Sequence, residues 1–214
     1  MVVGYGLCIN LIEVTWKAHL KLLYPNPADY QSFMGSITTY VGIAAFITVV
    51  FVGWGVIRFF GWHFSSQLTP VVIGLTGLTF FFFILLNKYF KVAPALLFGV
   101  SPLMFLVLFG AFQNIISKVM KYSFFDPTKE MAFIPLDPES KVKGKAAIDV
   151  VGSRFGKSGS AWIQVGLIDL LGTGSILSIT HLLTPIITLS VIGWILSARY
   201  VNKEFLRRQR EQAL

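Results

Sequence analysis

Five stretches of this chain are each long and apolar enough to cross a lipid bilayer as a helix, which leaves few alternatives for its fold. They run roughly over Phe33–Ile57, Leu68–Leu86, Val92–Ile116, Ala161–Leu177 and Leu182–Ala198. A spanning helix takes about 20 apolar residues, and lipid offers no partner to an unpaired backbone amide, so each run is expected to be helical. Pro70, Pro94, Pro102 and Pro185 lie at or inside these runs, which neighbouring helices can tolerate by re-satisfying the freed carbonyls. Composition agrees. Of the 214 residues 55% are hydrophobic and 13% are charged, against about 25% charged in a soluble domain. That is too little polar material to cover a globule, which argues against a soluble enzyme, a disordered chain and a nucleic-acid-binding module. A single cysteine, Cys8, excludes an internal disulfide framework and a cysteine-based metal cluster.

A sixth run opens the chain, from Val2 to about Leu23. It has neither the basic leader nor the small-residue cleavage site of a secretory signal, and it carries Asn10, Glu13 and Lys17. We expect residue 1 to lie inside a helix whose start is missing, and the chain to be a piece of something longer. The fold class that follows is all-α: a polytopic membrane protein with six transmembrane helices.

Six spans place both termini on one side of the membrane. Fourteen of the 18 Lys and Arg residues fall on that side; Lys17, Lys21, Lys88 and Lys91 fall on the other. By the positive-inside rule the first side is cytoplasmic, so most of the net charge of +8 is topology. The one sizeable extramembrane segment, about 117–160, is too short for an independent domain. Within it, Phe125–Met131 reads as a turn into a short helix with Pro127 at its first position. Pro138 then precedes an amphipathic helix, Glu139–Val151, with Lys141, Lys145 and Asp149 on one face.

Polar residues inside spans carry the most information, because a charge at mid-bilayer costs about 2.5–3.5 kcal/mol on insertion scales. Gly6, Asn10, Glu13 and Lys17 recur along one face of the first helix. Such a stripe lines an aqueous cavity or a helix interface; the alternative is a Glu13–Lys17 pair that neutralises itself. Asp169 is a second embedded acid, suited to a packing hydrogen bond or to transport. The run Gly152–Ser158 tempts toward a phosphate-binding P-loop. Only three residues separate Gly152 from Gly156-Lys157-Ser158 where the motif needs four, and Val151 stands at the required glycine position. What survives is a Gly-rich turn presenting Arg154, Lys157 and free N–H groups to an anionic ligand, against the plainer reading of two positive-inside anchors. The tryptophans mostly sit near span ends, as in an aromatic belt, and His19, His63 and His181 lack metal-like spacing. No cofactor is implied.

Three segments carry a family resemblance: Ile9–Lys17, Phe125–Asp137 and Lys143–Gly159, with Tyr24-Pro25-Asn26-Pro27, Asp29-Tyr30 and Phe33-Met34-Gly35 in support. Together they make the chain similar to the C-terminal half of the ADP/ATP translocases of chlamydiae, rickettsiae and plastids. The resemblance implies one half of a twelve-helix, major-facilitator-like carrier, with residues 1–214 as its last six helices. Gly53–Gly61 would then fall at a cytoplasmic gating loop. It also implies membrane transport, ATP/ADP exchange, with ATP and ADP as substrates and no enzymatic activity. Its partners would be the lipid bilayer and the missing N-terminal half of the same carrier, without nucleic acid. Glu13 and Lys157 match an acid and a lysine implicated across the family, and Asn10, Lys17 and Arg154 complete the expected substrate-binding set. The expected location is a bacterial inner membrane with both termini cytoplasmic. Proton-coupled uptake of other nucleoside triphosphates, or a membrane scaffold without transport, are the alternatives.

Overall fold

A computed structural model describes residues 1–90 and 99–212. Eight α-helices are described: α1 (Val2–Leu23), α2 (Pro27–Ile47), α3 (Trp54–Phe90), α4 (Pro102–Met120), α5 (Asp126–Met131), α6 (Pro138–Ala146), α7 (Ser153–Leu171) and α8 (Thr180–Gln212). Three π-helical segments, Thr48–Gly53, Lys121–Phe125 and Ala147–Gly152, join α2 to α3, α4 to α5 and α6 to α7 without a break. Among the described residues, four helical stretches are long and apolar enough to cross a membrane: Pro27–Gly53, Gly55–Phe90, Pro102–Met131 and Thr180–Glu211. The chain is an all-α polytopic membrane protein. α1 and α7 are of comparable length, 22 and 19 residues, but both carry charges along their length.

Three helix starts share one local device. The Asn26 side chain accepts the Ala28 N–H at 3.0 Å, Ser101 accepts that of Met104 at 3.2 Å, and Asp137 accepts that of Ser140 at 2.9 Å. In each case proline follows as the first helical residue, where its missing N–H costs nothing. α7 stops at Gly172, whose φ of 60° is the left-handed C-terminal cap glycine adopts without strain.

These signals move several expected boundaries. The run Phe33–Ile57 belongs to a longer helical stretch that begins at Pro27 and passes through Thr48–Gly53 into α3. At the expected gating loop, helix persists and breaks at Gly61, with φ 77° and ψ 176°. The run expected from Val92 starts outside the described residues, as do Lys91 and Pro94; helix is present from Pro102 and continues past Ile116 to Met131. Pro127 is therefore the second residue of α5 within a continuous helix and opens no new one. The segment 117–160 is mostly helical, and α6, Ala147–Gly152 and α7 run without a break from Pro138 to Leu171. The span expected to end at Leu177 ends six residues earlier because Gly172 and Gly174 both take positive φ. The basic tail is the continuation of α8.

α1 is the central helix, packed against α7, α4 and α8, while α3 packs against α8 and α4. Trp16, Trp62 and Trp194 are buried, so only part of the expected aromatic belt is one; Trp162 is 77% exposed. Trp16 donates its indole N–H to the Val107 carbonyl at 2.9 Å. Its ring covers Gly110, where a Cβ would stand 2.2 Å from Trp16 Cδ1, so glycine there lets α1 and α4 close together.

Candidate functional site

A cavity of about 530 Å³ lies between α1, the α4–α5 junction and the α6–α7 junction. Its apolar wall is aromatic. Tyr5 stacks on Phe125 with ring centroids 4.9 Å apart, and Trp194 meets both edge-on at 5.7 and 5.6 Å. The polar wall holds three lysines, Lys121, Lys129 and Lys157, and three acids, Asp126, Glu130 and Asp149.

Two of those lysines are already neutralised. Lys121 Nζ lies 3.0 Å from Asp126 Oδ2. Lys129 Nζ lies 2.6 Å from Asp149 Oδ1 and 3.6 Å from Glu130 Oε1. The other Glu130 oxygen is held by Lys145 at 2.6 Å. Among the described residues no carboxylate pairs with Lys157 Nζ, so the cavity offers one cation without an internal counter-charge.

α7 reaches this position through glycines. A Cβ on Gly6 would lie 3.1 Å from Gly156 Cα, and one on Gly156 would lie 2.9 Å from the Val3 carbonyl oxygen. Small residues let membrane helices approach backbone to backbone. Asn10, one turn further along α1, donates to the Lys157 carbonyl oxygen at 3.2 Å and to the Ser160 hydroxyl. The Ser160 hydroxyl in turn donates to the same carbonyl at 2.6 Å.

The expected site residues therefore separate. Gly6 and Lys157 line the cavity, and Asn10 fixes the main chain beneath Lys157. Glu13 pairs with Lys17 at 2.8 Å and sits 3.8 Å from Lys118 on α4, so the intrahelical and interface readings of its charge are both realised. Neither Glu13 nor Lys17 lines this cavity. Arg154 is exposed and also lies outside the lining. The Gly-rich turn with free amides is overturned: Arg154 and Lys157 lie within unbroken helix, and the Ser153 N–H is bonded to the Ile148 carbonyl. Glycine at 156 serves the contact with α1. Asp169 lies in the last turn of α7, on the surface of the bundle.

Lys121, Asp126, Lys129, Glu130 and Asp149 line the cavity but were missed by sequence reasoning. A signal did exist for all but the first. Asp126, Lys129 and Glu130 share a face at helical spacing, and Lys145 and Asp149 form the complementary face on the other side of the turn at 132–137.

Apolar helices around a cavity lined by ion pairs and by Lys157 define a polytopic membrane protein. The profile of the TLC ATP/ADP transporter family matches residues 1–205, and the chain belongs to that family. It is 51% identical to ADP,ATP carrier protein 1 of Chlamydia pneumoniae over 96% of this chain and 39% of that protein. It is 46% identical to the plastidic ATP/ADP-transporter of Solanum tuberosum over 100% of this chain and 33% of that protein. It is 38% identical to ADP,ATP carrier protein 4 of Rickettsia conorii over 96% of this chain and 40% of that protein. The chain thus spans 40% or less of the length of these relatives. No solved structure matches it.

Proposed function

We propose that this chain is the C-terminal, six-helix part of a twelve-helix carrier that exchanges ATP for ADP across a membrane. The names of its relatives and the fraction of their length that it spans support this reading. α1 and α7 supply the fifth and sixth spans, and the Glu13 carboxylate of α1 is set against α4 through Lys17 and Lys118. The observation that carries the proposal is Lys157, a cation on the cavity wall without an internal counter-charge.

A nucleotide's phosphate chain is a polyanion. At an effective dielectric of 20, one ammonium–phosphate contact at 4 Å is worth about 4 kcal/mol before desolvation. Lys157 provides that contact, and Asn10 sets its height on the wall by holding its carbonyl. Glu13 keeps Lys17 and Lys118 neutralised where α1 meets α4, which lets those lysines sit in a helix interface. Arg154 stands off the cavity as a positive-inside anchor. The aromatic wall of Tyr5 and Phe125 offers an apolar surface to the rest of the ligand. Alternating access follows from this half rocking against its partner half around a site near their interface. Both termini are cytoplasmic by the sorting of basic residues, and the membrane is a bacterial inner membrane.

The test is uptake of labelled ATP by intact cells expressing the carrier. Lys157→Ala abolishes uptake while leaving the protein folded in the membrane. Uptake at the unsubstituted rate by that variant overturns the assignment.

A further inference from the structure

We propose that Asp149 is a built-in counter-ion that occupies Lys129 when the cavity is empty and is displaced by a nucleotide's phosphate chain, making Lys129 a second phosphate-binding cation beside Lys157. This rests on the transport reading above and names the residues that regulate the same site.

The geometry singles out this pair. Lys129 Nζ has its shortest ion pair with Asp149, at 2.6 Å, whereas Glu130, at 3.6 Å, is itself drawn away by Lys145. Lys129 and Asp149 line the cavity that Lys157 also lines. The Lys121–Asp126 pair does too, but its members are five residues apart in one continuous helix, so breaking it separates no elements. Lys129 and Asp149 are 20 residues apart and join α5 to the segment Ala147–Gly152, which runs directly into α7.

A bound polyanion acts on both members of the pair in the direction of opening. It attracts the ammonium and repels the carboxylate, and it therefore has a different interaction energy with the closed and open pair, which is what a ligand needs to shift a conformational equilibrium. Ala147–Gly152 is π-helical, a wider turn that occurs mostly as short bulges within α-helices, frequently at functional sites. Once Asp149 leaves, the first turn of α7 is freed from α5 at the level of Lys157. Occupancy of the site by phosphate is thereby coupled to the position of a helix that lines it. A triphosphate engages both cations, while a monophosphate is satisfied by Lys157 alone, so the number of phosphates is read at Lys129.

The experiment is equilibrium binding of labelled ATP to the purified carrier in lipid nanodiscs, with competition by AMP. Asp149→Asn, which keeps the shape and removes the charge, binds ATP more tightly by about three- to tenfold and leaves AMP within twofold. Lys129→Gln weakens ATP to a similar degree and spares AMP. In the Lys129→Gln background, Asp149→Asn has no further effect. If Asp149→Asn does not accumulate as folded protein, Asp149→Ser carries the same expectation. Unchanged or weaker ATP binding in a folded Asp149 variant, or equal shifts for ATP and AMP, overturns the counter-ion role while the transport reading stands. Absence of ATP binding by the unsubstituted carrier overturns both.

Discussion

The side-chain amide of Asn10 on α1 donates to the main-chain carbonyl of Lys157 on α7, at 3.2 Å and across 147 residues of sequence. The lysine that faces the cavity is thus held by its backbone, and its ammonium stays available. Asn10→Ala removes this bond and the one to Ser160. The expected cost in stability is about 1 kcal/mol, as for a typical intramolecular hydrogen bond. The more telling expectation is a severalfold rise in KM for ATP uptake. An unchanged KM would show that Asn10 only packs.

Gly156 leaves no room for a side chain, since a Cβ there would meet the Val3 carbonyl oxygen at 2.9 Å, and backbone cannot step aside as a side-chain tip can. Gly156→Ala is expected to destabilise the folded protein by about 1–3 kcal/mol through overpacking. Thermal unfolding in detergent, followed by tryptophan fluorescence, reads this directly. A midpoint equal to the unsubstituted protein's would mean the two helices are not in backbone contact.

Glu13 serves two lysines, Lys17 on its own helix and Lys118 on α4. Glu13→Gln leaves both without an anion and lowers the unfolding midpoint; adding Lys118→Gln recovers part of the loss. Because these side chains are 21–39% exposed, the Glu13–Lys118 coupling in a double-mutant cycle is expected to be modest, about 0.5–1 kcal/mol. Strict additivity would remove Lys118 from the account of Glu13.

Asp137 gives α6 a pH dependence. Its carboxylate accepts the Ser140 N–H, and that bond holds its pKa below the ordinary 3.8. A lowered carboxylate pKa means the cap stabilises fully above the ordinary value and is lost as pH falls through the lower folded one. Hydrogen-exchange protection of the Ser140 amide should therefore be flat at neutral pH and decline in strong acid. Asp137→Asn, which caps without titrating, should abolish the decline. Persistence of the decline in that variant would place its cause elsewhere.

Much of the bundle is legible from hydropathy because lipid demands apolar helices, and α2, α3, α4 and α8 carry that signal plainly. Their ends are less so. Hydropathy marks the apolar middle, whereas the ends are set by Asn26, Ser101 and Asp137 as caps and by the positive φ of Gly172. α1 and α7 are harder to read because their polar faces, the ones that build the site, dilute the apolar signal. Gly6, Asn10 and Lys157 were recognisable because helical spacing and charge single them out. The glycines around Lys157 invited a phosphate loop, but nothing in a linear pattern distinguishes a glycine that frees a turn from one that admits a neighbouring helix. The pairing of Lys129 with Asp149 depends on how the chain turns at 132–137, which no local pattern determines. Burial of Trp16 and Trp194 was likewise hidden, since an aromatic near a span end suits either an interface or a helix contact.

The most direct test of the central claim, that this cavity carries nucleotide phosphates in exchange, is labelled ATP uptake into proteoliposomes containing the complete carrier and preloaded with either ADP or adenosine. Internal ADP should drive uptake many-fold over internal adenosine, and Lys157→Ala should reduce it to the adenosine level. Equal uptake from both preloads, or exchange by Lys157→Ala at the unsubstituted rate, would contradict the account.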